Sequence, residues 1–114
     1  MARLFVDAAS AAVNAAAGNR NPVHLGLSIT DGAGNGVAGL AIANFAMSSL
    51  TVAPGGFNGI INAVTAGGIA GGYVVQVVPA GAFNWVAGTY IFLIDTFTPG
   101  GADDGQTVVN VTVP

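Results

Sequence analysis

The sequence predicts an all-β protein, an antiparallel sandwich of about seven strands. Three observations carry this. The apolar runs are short, and they either alternate with polar residues or are apolar on both faces, the two signatures of strands. Eighteen Gly and five Pro are spread along the chain, which marks many turns rather than long helices. Of the 114 residues, 53% are hydrophobic and only 6% charged, so one domain has ample material for a core.

Residues 1–21 read differently from residues 22–114, and the chain divides there into an N-terminal arm or helix and a β-sandwich domain. Residues 1–20, MARLFVDAASAAVNAAAGNR, are Ala-rich. Leu4, Phe5, Ala8, Ala12, Val13 and Ala16 can form the stripe of a short helix, and Gly18 and Asn19 suit its C-terminus. The other reading is an arm that docks on a neighbouring copy, as helix or as added strand. Leu4, Phe5 and Val6 are its sticky residues.

From Pro22 the period becomes two. Val23, Leu25, Leu27 and Ile29 alternate with His24, Gly26, Ser28 and Thr30, the pattern of a half-buried strand. Residues 31–36, DGAGNG, form a turn rich in residues that tolerate positive φ. Residues 37–45 predict a second strand, and residues 46–52 its continuation or a neighbour. Pro54, Gly55 and Gly56 break the chain. Residues 57–66 are ambiguous, because Ile60, Ile61 and Val64 fit a strand or one helical turn. Residues 73–78, YVVQVV, predict a strand closed by Pro79. Residues 98–105 read as a polar loop. Thr107, Val109, Val111 and Val113 alternate with Val108, Asn110 and Thr112 in a last strand.

The centre of the predicted fold is residues 85–95, WVAGTYIFLID. Tyr90, Phe92 and Ile94 occupy one face and Ile91 and Leu93 the other. A strand apolar on both faces is buried twice or covered by a neighbour. Tyr90, Phe92 and Ile94 are expected between the sheets. Ile91 and Leu93 are expected on the outer face, beneath an arm or another copy.

Seven short strands at this spacing, with turns between them, fit an immunoglobulin-like sandwich. Residues 29–40, ITDGAGNGVAGL, followed by Asn44 and Phe45, resemble the opening hairpin of bacterial immunoglobulin-like modules. Gly88, Thr89 and Tyr90, and the closing residues 105–113, GQTVVNVTV, resemble later strands of the same group. The matching pieces cover about a third of the chain. The resemblance implies spacers, adhesion units and parts of larger assemblies, and it implies no catalysis.

Residues that carry chemistry do not form a constellation along the chain. Residues 34–39 spell G-x-G-x-x-G, but no acid lies between Asp31 and Asp95, and a dinucleotide site needs one about 20 residues on. A hairpin turn is the reading. The chain has no Lys, so a P-loop is excluded. His24 is the only His. Ser28, on the same face, lies ~13 Å along the strand, which leaves His24 as a surface residue. Asp103 and Asp104 read as turn-forming, since the loop lacks EF-hand spacing. Trp85 is the ligand candidate, because Trp85, Tyr90, Tyr73, Phe57 and Phe83 can build an aromatic platform for a sugar, although aromatics in a small sandwich usually fill the core. Asn110-Val111-Thr112 is an N-glycosylation sequon inside a predicted strand. No cofactor or metal is predicted.

Charge decides the functional reading. Two Arg, Arg3 and Arg20, face five Asp, and the net charge is -3. Without a basic patch, nucleic-acid partners are excluded. No apolar run approaches the ~20 residues of a membrane-spanning helix. Cysteine is absent, so there are no disulfides. Asp7 interrupts the apolar part of the N-terminus, which leaves either a chain made without a signal peptide or a mature form. Sheet edges are ordinarily guarded by charge, Lys above all. Residues 73–78 and 108–113 have no charge to offer. The sequence therefore predicts a non-enzymatic structural protein that self-assembles: a filament, shell, surface-layer or virion component, placed at an extracellular surface or in a virion. Its partners are copies of itself or another assembly protein. The assembly candidates are Leu4, Phe5, Val6, Val74, Val78, Ile91 and Leu93. The alternative is an adhesion or carbohydrate-binding module of the same fold.

Overall fold

The computed structural model describes residues 2–50 and 53–114. Two four-stranded sheets pack face to face. Sheet A runs β1 (Ala2–Arg3), β8 (Asp103–Val113), β7 (Gly88–Phe97), β4 (Phe45–Ser49). Sheet B runs β2 (Phe5–Ala11), β3 (Val23–Thr30), β6 (Gly72–Pro79), β5 (Gly59–Ala66). Every pairing is antiparallel except the two-residue contact of β1 with β8. Among the described residues no helix is long and apolar enough to cross a membrane.

Alternation builds the core. Val23, Leu25, Leu27 and Ile29 of β3 are buried, as are Tyr73, Val75 and Val77 of β6. Tyr90, Phe92 and Ile94 of β7 and Val109, Val111 and Val113 of β8 meet them from sheet A. Each such side chain contributes about 1.5–3 kcal/mol when fully withdrawn from water. Ile91 and Leu93 point the other way, half-buried on the outer face of sheet A.

The N-terminal residues depart from the helix alternative. Residues 5–11 form β2, paired with β3 from Phe5↔Thr30 to Ala11↔His24. Alanine favours helix, but an isolated helix of this length is marginal in water, whereas the ladder to β3 satisfies the backbone in a single step. The segment also changes sheets. β1 joins β8, the chain turns at the buried Leu4, and β2 then joins β3.

Residues 37–41 are not a strand. The Tyr73 hydroxyl ties them down, donating to the Val37 carbonyl at 2.7 Å and accepting from the Leu40 amide at 3.2 Å. A 3-10 turn, Ile42–Asn44, follows, and the Asn44 side chain accepts the Ala41 amide at 2.9 Å. β4 starts only at Phe45. The end of its predicted continuation, Thr51 and Val52, lies outside the described residues.

A bulge between Ile61 and Ala63 of β5 resolves the mixed period of residues 57–66. One extra residue in a strand shifts the alternation by one place. β8 begins at Asp103, so its first residues take up part of the predicted polar loop.

Candidate interaction surface

Of the two uncharged strands, residues 73–78 form the central β6, whereas residues 108–113 of β8 have a ladder on the β7 side only, since β1 pairs β8 at Asp103 and Asp104 alone. β6 pairs with β3 through Gly72–Val77 and with β5 through Tyr73–Pro79. Val74 and Val78 thus sit on the outer face of sheet B, with their backbone groups engaged in ladders. The true edges are β2 and β5 of sheet B and, in sheet A, β4 and the side of β8 beyond its two-residue pairing with β1. β4 (FAMSS) and β5 (GIINAVTA) contain no charged residue. They lack the usual protection of an edge, although β4 is short and β5 bulged, two other devices that discourage pairing.

A small group of apolar side chains lies on the outer face of sheet A, among the polar Ser48, Asp95, Gln106 and Asn110. Leu93 stands between Ser48 of β4 and Val108 of β8. Ile91 stands beside Asn110, and its carbonyl accepts the Leu50 amide at 3.0 Å. Leu50 and Val108 are 50% and 52% exposed, and Ile91 and Leu93 are half-buried between them in the register. Asp95, beside them, pairs with Ala46 and Gln106 in register. One of its carboxylate oxygens is out of reach of solvent and has no hydrogen-bond partner. The outer face of sheet B is mixed as well: Gly26 lies between Ala9 and Val74, and His24 between Ala11 and Gln76.

The N-terminal candidates part company. Leu4 is 2% exposed and Phe5 54% exposed, while Val6 is half-buried against the core. Residues 2–11 lie along β8 and β3 and leave Ile91 and Leu93 uncovered.

Trp85 offers no ring face to a ligand, being 1% exposed. Its indole N–H donates to the Asn21 carbonyl at 2.8 Å. Its backbone amide donates to Asn19, and its carbonyl accepts from the Gly18 amide. Tyr90 meets the indole edge-on at 5.1 Å, and Phe57 packs at 6.1 Å. Residues 18–21 therefore wrap Trp85, and Arg20 holds the neighbouring loop by donating to the Phe83 and Pro79 carbonyls. Sequence alone places an aromatic just before a turn at the surface. Here a distant segment folds over it.

The Tyr90 hydroxyl donates to the Val86 carbonyl at 2.7 Å and accepts the Val86 amide at 3.0 Å. Burial pushes this hydroxyl above its ordinary value of 10.0, and the Val86 bond offsets part of the shift. The unfolded state then loses its proton first. Stability is level below about pH 10 and falls above it, because there the folded chain binds more protons than the unfolded one. Tyr90→Phe is expected to flatten that alkaline slope in denaturant titrations at several pH values. An unchanged slope would assign it to another group.

The remaining chemical candidates stay apart. Ser10 Oγ donates to the Asn110 carbonyl at 2.8 Å, and His24 lies beside Ala11 and Gln76. The Asp31 carboxylate accepts the Ala33 and Asn35 amides at 2.9 and 3.0 Å, which makes it a turn cap. The G-x-G-x-x-G run is a loop in which Gly36 bridges to Thr30. Among the described residues no group of three His, Asp, Cys or Glu is placed to hold a metal. Compared with protein-family models, curated proteins and solved structures, the chain matches none.

Proposed function

We propose that this chain is a non-enzymatic, immunoglobulin-like structural module that self-associates through charge-poor surfaces, as a component of a filament, shell, surface layer or virion. The observation that carries the reading is the apolar group Leu50, Ile91, Leu93 and Val108 on the outer face of sheet A, beside the uncharged edge β4. Apolar side chains left on an outer sheet face beside an edge without charge favour contact with another surface.

Strand order supports the immunoglobulin-like part. The order β2-β3-β6-β5 corresponds to A-B-E-D of a constant-type domain, and β8-β7-β4 to G-F-C. Tyr90, near the start of β7, bonds back to Val86 as the tyrosine corner of such domains does. Phe92 stands two residues on, where antibody domains place a disulfide cysteine, and fills that core position with a ring.

Sedimentation velocity over a range of concentrations tests association. The native chain is expected to form oligomers. Val108→Lys, at a position that is already half-exposed, is expected to weaken them tenfold or more, about 1.4 kcal/mol, with an unchanged circular-dichroism spectrum. A native chain that stays monomeric at high concentration would overturn the proposal.

A further inference from the structure

Among the described residues, the outward side of β8 is the long sheet edge with the least protection. Short strands, bulges and charge each discourage a neighbouring strand. β4 is five residues long, β5 is bulged and β2 carries Asp7. β8 has none of these devices over Gln106 to Val113: no charged residue, no Pro, and a register with β7 that runs unbroken from Gly88↔Val113 to Phe97↔Asp104. β1 covers this side only at Asp103 and Asp104, and the chain then leaves at Leu4 for sheet B.

The groups that face outward follow from the alternation of an antiparallel ladder. The Asp104 carbonyl accepts the Leu4 amide at 2.8 Å, and the Asn110 carbonyl accepts the Ser10 hydroxyl at 2.8 Å. Both carbonyls thus point away from β7. Ile91, the register partner of Asn110, turns its own carbonyl the opposite way, to the Leu50 amide. The even-numbered residues of β8 therefore direct their N–H and C=O groups outward. Among the described residues, the amides of Gln106, Val108, Asn110 and Thr112 meet no acceptor within the chain, and of their carbonyls only that of Asn110 is engaged. The side chains of these residues are exposed.

A second β8 fits this edge. In the bonded pairs of an antiparallel ladder, two facing residues exchange both N–H···O bonds. A two-fold axis at Val109 sets Gln106 opposite Thr112 and Val108 opposite Asn110, so outward groups meet outward groups throughout. No charge is brought against a charge, because residues 106–112 have none. The length fits as well. The partner's Val113 falls opposite Gly105, one residue short of the β1 contact at Asp104. Such an axis stands perpendicular to the sheet, so both copies turn their outer faces to the same side. Leu50, Ile91, Leu93 and Val108 of the two copies then share one face of a continuous sheet, in the order β4-β7-β8-β8-β7-β4.

We infer that copies of this chain pair edge to edge through residues 106–112 of β8, antiparallel and two-fold symmetric. The inference rests on the self-association reading above and names a contact for it.

Amide hydrogen exchange followed by NMR at rising protein concentration tests it on the native chain. The amides of Gln106, Val108, Asn110 and Thr112 are expected to exchange freely in dilute protein and to slow by about tenfold or more as oligomers form. Those of Thr107, Val109 and Val111 face β7 and are expected to stay protected at every concentration. Thr112→Pro removes an outward N–H and no bond to β7, a position where an edge strand tolerates Pro. It is expected to abolish the concentration-dependent protection of Val108 and Asn110 with an unchanged circular-dichroism spectrum. Asn110→Pro, read at Val108 and Thr112, repeats the test if the first variant folds poorly. Protection that survives both variants overturns the inference. Oligomers in sedimentation whose Val108 and Asn110 amides still exchange freely also overturn it, and leave the outer-face contact standing. A native chain that stays monomeric at high concentration overturns both readings.

Discussion

Trp85→Ala is expected to cost about 3–5 kcal/mol of folding stability. The ring is 1% exposed and lies against Phe57 and Tyr90. Its loss opens a cavity and strands the Asn21 carbonyl, which the indole N–H now satisfies. Residues 18–21 lose the body they wrap. Against a total stability of about 5–15 kcal/mol for an ordinary domain, this change alone can bring the chain to the edge of unfolding. Urea denaturation followed by far-ultraviolet circular dichroism measures it, since the variant has no tryptophan fluorescence. Trp85→Phe keeps most of the packing and is expected to fall between. A loss below about 1 kcal/mol for the alanine variant would mean that the ring is not packed as described.

Gly71→Ala is expected to cost about 2–5 kcal/mol, combining about 1–2 for a left-handed backbone with about 1–3 for overpacking. Gly71 has φ +85, and a Cβ there would lie 2.4 Å from the Ile29 carbonyl oxygen. That oxygen already accepts the Val37 amide at 2.9 Å, and the Gly71 carbonyl accepts the Ile29 amide at 2.8 Å. The obstruction is backbone on backbone, which no rotamer change can relieve. Gly26→Ala is the control. With open space around it and no positive φ, it is expected to be neutral or to stabilise by about 0.4–1 kcal/mol. Thermal melts of the two variants side by side check the contrast. Equal melting temperatures would refute the close approach at Gly71.

The two glycines are alike in the sequence, and this marks where reading by pattern stops. Period two assigned the faces of β3 and β7 correctly, down to Tyr90, Phe92 and Ile94 inside and Ile91 and Leu93 outside. That rule is local, since neighbouring Cβ atoms in a strand point to opposite faces. Residues 37–41 satisfied local strand preferences and still formed a loop, because the hydroxyl of Tyr73, more than thirty residues away, took the Val37 carbonyl and the Leu40 amide. The Ala-rich start read as a helix or a docked arm, and it became a sheet-switching strand because β3 and β8 each had room beside them.

The candidate surface was legible by halves. Ile91 and Leu93 were readable, since their strand is apolar on both faces. Leu50 and Val108, which complete the patch, were not. Each looks like an ordinary strand residue until register sets Val108 beside Leu93 and brings Leu50 to Ile91. Trp85 had the composition of a ligand platform and the position of a core residue.

By itself, the sequence determined an all-β chain with too little charge to guard its edges, and it determined which side of its best strands faces inward. Those properties follow from composition and from a two-residue repeat. Only the tertiary structure decided which strands are edges, placing β6 in the middle and leaving β4 and β5 at the margins. It alone decided that Trp85 is enclosed and that the chain changes sheets at Leu4. Strand order is a choice among long-range pairings that are nearly equivalent locally, and the packing of the whole domain selects among them.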